Sequence, residues 1–283
     1  GYGLLGIILD VDISLIENET YEQVSQKILF ENYPNYISTS IKNNPNIGLH
    51  FGRISIAPNS LLKDMYITDY INKSPSETKT THSPLTLEKS LKRNKFFFDL
   101  SRHYDWGKAL RWKLQLMAER NNASIQRNMA MRPPVRFLNY YSEKATDILQ
   151  EYFIPLDQFP SFINDFRSLV KENNINLLSL TTRYMPKDTE SKLAYSKKDN
   201  IAIVIYVNQK LAKKDIQHTK EWTQKLINIA HNKGGSYYLT YQEYPSKKQF
   251  KQHYPNVKEF LNIKHNIDPQ NLFSNKFYDY YLK

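Results

Sequence analysis

Apolar and polar residues alternate through the opening of the chain, with Ile7, Leu9, Val11, Ile13 and Leu15 set against Ile8, Asp10, Asp12 and Ser14. A period of two predicts a strand. Residues 21–30 predict a helix, and 47–56 and 65–71 predict strands separated by the turn signal Pro58-Asn59-Ser60. Residues 73–86 (NKSPSETKTTHSPL) are polar and rich in Pro, Ser and Thr, and read as a surface loop. Helical spacing resumes over 87–104 and 106–120, and residues 121–134, closing on Pro133-Pro134, read as a mobile loop or lid. The second half is more regular. A strand over 148–154 stops at Pro155. Asp157 then caps a helix with Pro160 in its first turn and an apolar stripe of Phe162, Ile163, Phe166, Leu169 and Val170. Strands follow at 175–184 and 201–207, the second almost wholly apolar and β-branched, as a central strand should be. A helix over 215–232 presents Trp222, Leu226, Ile229 and Ala230 on one face, ends at Gly234-Gly235, and leads into an extended stretch over 237–242. This β-α-β-β-α-β order predicts an α+β fold: a ferredoxin-like antiparallel sheet with extra strands, covered by helices. A short helix over 257–264 and an Asp268-Pro269 turn precede the tail NLFSNKFYDYY. Its Phe273, Phe277 and Tyr278 predict a docked C-terminus.

Charge changes this picture more than composition does. The 283 residues carry a net charge of +11 and are 40% hydrophobic and 13% aromatic, a globular composition. Between Lys92 and Arg136 stand eleven Lys and Arg against Asp99, Asp105 and Glu119, interleaved with Phe96, Phe97, Phe98, Tyr104, Trp106 and Trp112. Such a segment suits an anionic membrane surface, a phosphate-bearing substrate or nucleic acid; a solvated face over buried aromatics has the same composition. The absence of cysteine excludes disulfides and thiolate metal sites. The seven histidines (50, 82, 103, 218, 231, 253, 265) show no H-x-x-x-H or H-E-x-x-H spacing, so no metal is expected. No apolar run reaches membrane-spanning length. Starting without Met inside a hydrophobic pattern, the chain reads as the C-terminal part of something longer, cytoplasmic or peripheral to a membrane.

The first six residues, Gly1-Tyr2-Gly3-Leu4-Leu5-Gly6, match the dinucleotide fingerprint G-x-G-x-x-G. That fingerprint needs a strand before it and a helix after it, and here a strand follows, so a Rossmann loop is excluded. Four stretches taken in order, GYGLLGIILDVDISL, ILQEYFIP, GGSYYLTYQEYPSKKQFKQHYP and DPQNLFSNKF, resemble the C-terminal part of flavoproteins of the vanillyl-alcohol oxidase/p-cresol methylhydroxylase class. Within that class the chain looks nearest to aldonolactone oxidases, alditol oxidases and decaprenylphosphoryl-ribose oxidase. The likeness spans nearly the whole chain and is weakest over 17–139. It implies three parts: 1–15 as the last strand of an FAD-binding domain, 16–245 as a substrate (cap) domain, and 246–283 as a segment returning to the FAD domain. It further implies FAD as cofactor, with the pyrophosphate loop and any flavin-linking His upstream of residue 1. The implied activity is oxidation of a CH–OH group of a sugar, sugar lactone or lipid-linked sugar by hydride transfer to flavin.

The resemblance also selects residues. Gly3, Gly6, Ile7 and Ile8 match a G-x-x-G-I-I segment that lies against the flavin, where glycines let backbone approach a planar ligand. Asn275, in FSNKF, matches an Asn that docks the tail toward the flavin domain. Glu151 is a carboxylate in the otherwise apolar LQEYFIP, where relatives carry Gln or Glu toward substrate; a strand with one wet face would show the same pattern. Arg183, in LTTRYMP, falls where alditol oxidases carry an Arg near substrate, but their accompanying Glu is Thr181 here, which leaves a cation for a phosphate or carboxylate. Tyr238 and Tyr241, in GGSYYLTYQ, fall where relatives place an aromatic or His and then a Lys. A phenol can orient a hydroxyl but does not ionise easily near neutrality, so a base is left unassigned. Three residues apart, the two tyrosines cannot share a sheet face unless the strand bulges. A second reading is a basic ferredoxin-like nucleic-acid-binding module without enzymatic activity; against it, the central strand over 201–207 offers only Tyr206 for stacking, and no nucleic-acid partner is expected.

Overall fold

The computed structural model describes residues 2–73, 85–86, 90–118 and 123–283. Its strands are β1 (Thr20–Leu29), β2 (Ile47–Ile54), β3 (Asp64–Asn72), β4 (Ala123–Gln126), β5 (Ala145–Pro155), β6 (Leu177–Met185), β7 (Asn200–Lys210) and β8 (Ser236–Tyr237). They form one antiparallel sheet in the order β4-β1-β3-β2-β6-β7-β5-β8. The apolar β7 lies between β5 and β6, paired along its whole length with β5, as its composition requires. The helices are α1 (Tyr33–Tyr36), α2 (Leu91–His103), α3 (Asp105–Ala118), α4 (Arg127–Ala130), α5 (Phe159–Glu172), α6 (Lys213–Asn232), α7 (Lys247–His253) and α8 (Val257–Ile267). In the half of the sheet made by β8-β5-β7-β6, α5 and α6 are the two crossovers of a ferredoxin-like unit.

One face of that half is the core. Tyr152, Ile154, Ile201, Ile203, Ile205 and Leu180 are at most 1% exposed, and they meet the predicted stripe of α5 and Trp222, Leu226, Ile227 and Ala230 of α6. On the opposite face the α2–α3 pair covers one end of the sheet: Trp112 packs on Tyr66 (ring centroids 5.4 Å) and Phe98 on Tyr206 (6.0 Å). Gly107 permits the tight corner between the two helices, since a Cβ there would stand 2.4 Å from the Leu100 carbonyl oxygen. Arg102, with no exposed side-chain surface, bolts α2 to β5 by donating from Nη2 to Asp147 (2.6 Å), while its Nη1 donates to Asp99 within α2.

Several expectations are corrected. Residues 21–30 are the strand β1 and not a helix. Spacing of Tyr21, Val24 and Ile28 fits a helix, but nine backbone pairs with β3 and four with β4 give these peptides their partners. Residues 7–15 form no strand: residues 6–19 carry no regular structure, and Leu9 is 91% exposed. Alternation specifies a surface, but a strand also needs a neighbour to pair with. Residues 123–130 hold β4 and α4 and are not a loop. The extended stretch predicted over 237–242 ends at Tyr237 and becomes turns. Asp157 does not cap α5, whose first helical residues are Phe159 and Pro160. Most of the loop at 73–86 lies outside the described residues.

The tail is docked, as its aromatics predict. Tyr278 and Tyr281 are buried, and Phe250, Phe277 and Tyr281 pack ring against ring. A capping box between Ser246 and Gln249 starts α7, and the Gln249 side chain also donates to Gln224 and Asn228 of α6.

Candidate functional site

Register brings the candidate residues together. Glu151 lies opposite Val204 on β7, Val204 opposite Thr181 on β6, and Thr181 opposite Arg53 on β2. Directly opposed residues share a sheet face, so these four form one row. The flanking Gln150 points the other way, donating to Thr223 of α6 (2.8 Å). The row therefore occupies the face away from α5 and α6. Two residues further along the strands, Phe153, Ala202 and Arg183 form a second row on that face.

The turns after β8 supply an aromatic border. Tyr238 N–H donates to the Glu151 carbonyl (2.9 Å), and the chain then turns so that the Tyr238 and Tyr241 rings meet edge to face at 5.5 Å. The turn, not a bulge, lets residues three apart converge. Tyr195 stacks on Phe153 (4.3 Å) and meets Tyr238 at 5.3 Å. A cavity of about 20 Å³, room for one water, lies beneath this border among Gln150, Glu151, Thr223, Tyr238, Tyr241 and Gln242.

The two chain ends meet beside it. Asn275 Nδ2 donates to the Tyr2 carbonyl (2.7 Å), Asn275 Oδ1 accepts from Tyr278 N–H (3.0 Å), and the Tyr2 and Phe277 rings stack at 5.3 Å. Leu4 is wholly buried. Beyond it Gly3 (φ +69°) and Gly6 (φ +153°) hold backbone conformations that side-chain-bearing residues avoid. Ile7 and Ile8 are then 75% and 81% exposed. Tyr2 is close enough to Tyr238 and Tyr195 that their phenols, after burial, help push its own up to about 12.

Electrostatics separate the roles. Burial raises the Glu151 carboxyl above the ordinary range, with Arg183 opposing. Burial likewise raises Tyr241, reinforced by the Glu151 charge. At neutral pH Tyr241 is therefore a hydrogen-bond donor, and Glu151 is the candidate proton acceptor of the cluster. Sequence reasoning missed Arg53, Arg111, Tyr2 and Tyr195. Arg53 had a visible signal, a cation in the alternating IGLHFGRISI. Tyr206, the stacking residue considered for nucleic acid, faces Phe98 beneath α2. Among the described residues no group of three or more His, Asp and Glu could hold a metal ion, and no helix is long and apolar enough to cross a membrane.

The sequence profile of the D-arabinono-1,4-lactone oxidase family matches residues 66–281. No curated protein matches the chain. Among solved structures, a solvent-stable cholesterol oxidase is similar at 10% identity and a TM-score of 0.54, over 93% of this chain and 60% of that one. Berberine bridge enzyme from Eschscholzia californica is similar at 12% identity and a TM-score of 0.40, over 90% of this chain and 54% of that one. At such identity the cholesterol oxidase likeness speaks to fold alone. The chain spans little more than half the length of these proteins.

Proposed function

Since the chain belongs to the D-arabinono-1,4-lactone oxidase family, we propose that it is the substrate-binding part of an FAD-dependent oxidoreductase acting on a CH–OH group of a sugar, sugar lactone or lipid-linked sugar. The observation that carries the reading is the convergence of both chain ends on the sheet face bearing Glu151, Arg183, Tyr238 and Tyr241.

The residues present fit the ring end of FAD. Gly6 has a glycine-only backbone with open space where a Cβ would stand, so a flat ligand can approach the main chain there. Gly3, Gly6, Ile7, Ile8 and Asn275 would form that wall, and the diphosphate would be held by residues outside this chain. Residues 7–15, apolar and alternating without a partner strand, suit addition to the sheet of a flavin domain. When bound, FAD supplies a two-electron acceptor for the hydride. Glu151 takes the proton of the substrate hydroxyl. Tyr238 and Tyr241 donate hydrogen bonds that orient neighbouring oxygens, and the Phe153–Tyr195 stack keeps water from that side.

The test is spectroscopic. The purified full-length protein is expected to show flavin absorbance that bleaches when D-arabinono-1,4-lactone, or an alditol or sugar phosphate, is added without oxygen. Colourless protein, or a flavin band that none of these compounds moves, rejects the reading.

The α2–α3 pair also suits peripheral contact with an anionic membrane. Phe98 and Trp112 are buried, but Phe96, Tyr104, Trp106 and Met117 are more than half exposed on the same helix pair as the exposed Lys92 and Arg93. Co-sedimentation with phosphatidylserine vesicles at low salt is expected to exceed that with neutral vesicles several-fold; equal partitioning discards this contact.

A further inference from the structure

The small cavity beneath the aromatic border is lined by Tyr237 and Gln242, and each brings it a polar atom that the protein does not match. The Tyr237 hydroxyl and Gln242 Oε1 are shut off from solvent and meet no protein partner; Tyr237 as a whole is 4% exposed. Their neighbours in the wall are matched. Tyr152 Oη donates to Gln150 Oε1 (2.8 Å), Gln150 Nε2 donates to Thr223 Oγ1 (2.8 Å), and Tyr281 Oη donates to the Pro245 carbonyl (3.0 Å). Burial, reinforced by the Tyr281 and Tyr152 phenols, raises Tyr237 and keeps it protonated, so it brings a donor. Gln242 Oε1 brings an acceptor. Stranding either of them is costly. One donor and one acceptor beside a space of about 20 Å³ are the requirements of a single water, which needs polar partners and room for one molecule.

We propose that this cavity binds one structural water, which accepts from Tyr237 Oη and donates to Gln242 Oε1, and that the bridge fixes the turn carrying Tyr238 and Tyr241. Tyr237 and Gln242 are thereby positioning residues. Their positioning role rests on the reading of the neighbouring face as the substrate site, whereas the water site does not. The turn is tied at its two ends: Tyr238 N–H is held by the Glu151 carbonyl (2.9 Å), and the Tyr244 carbonyl accepts from Gln224 Nε2 (2.8 Å). Between those ends the water ties Gln242, and with it the adjacent Tyr241, back to β8 at Tyr237. A well-held bridging water serves nearly as well as a direct hydrogen bond. With the turn fixed, the Tyr238 and Tyr241 hydroxyls stay aimed at the substrate oxygens they orient.

Tyr237→Phe and Gln242→Met, singly and together in the full-length protein, test this, since each keeps the shape of its side chain and removes the polar atom. A crystal structure of the unsubstituted protein is expected to show a water within hydrogen-bond distance of both atoms, and that of the double variant to show none. Each single variant should lower Tm by roughly 2–4 °C. The double variant should fall no lower than the worse single one, because with both atoms gone nothing is left unsatisfied. In anaerobic mixing with D-arabinono-1,4-lactone, the single variants should bleach the flavin about three- to thirtyfold more slowly. The lactone concentration that half-saturates this rate should move less than about twofold, because the tyrosines aim the hydroxyl more than they hold the ring. The water site is overturned if the cavity of the unsubstituted protein shows no water, if Tyr237 and Gln242 bond directly to each other, or if the two losses in Tm add. An unchanged bleaching rate in variants that have lost the water overturns the positioning role. Unsubstituted protein whose flavin the lactone does not bleach defeats the functional reading beneath, and the crystal structures and the Tm cycle still decide the water site.

Discussion

Glu151→Gln is expected to lower turnover by about 10²–10⁴-fold, the usual worth of a positioned general base, while leaving the fold intact. The amide keeps the shape and loses the proton acceptor, and no neighbour replaces it, because burial holds Tyr241 and Tyr2 protonated near neutrality. The pH dependence has a definite sign. Glu151 ionises above the ordinary 4.5 because burial disfavours its charge and Arg183 offsets this only in part. The wild-type kcat/KM should therefore climb with pH through that raised value, as the carboxylate must be ionised to accept a proton. Stability runs the other way. Between 4.5 and the raised value the folded chain binds more protons than the unfolded chain, so stability falls as pH rises across that window. Glu151→Gln removes this slope, and its Tm at pH 8 should equal or exceed the wild-type value by roughly 1–3 °C. Calorimetry at pH 5 and pH 8 beside a pH–rate profile reads both effects. A variant that keeps more than about a tenth of wild-type turnover would remove Glu151 from the role of base.

Arg102→Met should produce the larger loss of stability, about 3–5 kcal/mol, because it strands a buried carboxylate. Asp147 is almost wholly buried, and with Arg102 gone the Asn208 amide (2.7 Å) is left as a neutral donor to it. Arg102 also lies between the Phe98 and Tyr140 rings, at 4.5 and 4.2 Å from their centres, so packing is lost with the charge. At 2–4 °C per kcal/mol, Tm is expected to drop by roughly 6–20 °C. Asp147→Asn added to Arg102→Met should recover part of that fall, since the stranded charge is then absent. No recovery in the double variant, or a fall under about 1 kcal/mol in the single variant, would show that the α2–β5 attachment depends on other contacts.

The parts of this protein that could be read along the chain are those whose environment is set by local periodicity. The stripes of α5 and α6 and the β-branched run of β7 each meet a uniform surface, a sheet face or flanking strands, and each appears where its spacing indicates. The spacing of Tyr21, Val24 and Ile28 suits a helix, and pairing of β1 with β3, some forty residues away, overrides that local preference. Residues 7–15 alternate as a strand but lie exposed, since periodicity carries no information about a partner. Glu151 and Arg183 were legible singly, as charges in apolar strands, and Asn275 and Gly3 through resemblance; their mutual placement was not.

That placement is a matter of register. Glu151, Thr181 and Arg53 come from three strands and fall in one row only because β5, β7, β6 and β2 pair with particular residues opposed. A slip of one residue would have turned any of them toward α5 and α6. The chain's own order of apolar and polar residues was enough to establish a ferredoxin-like body, a docked tail and a surplus of positive charge, because burial of periodic faces is a local preference summed along the chain. Which charges share a face, which stay unpaired, and how the first residues come to rest against the last were settled by packing among segments up to 273 positions apart, where backbone hydrogen bonding and the exclusion of water act on the whole fold at once.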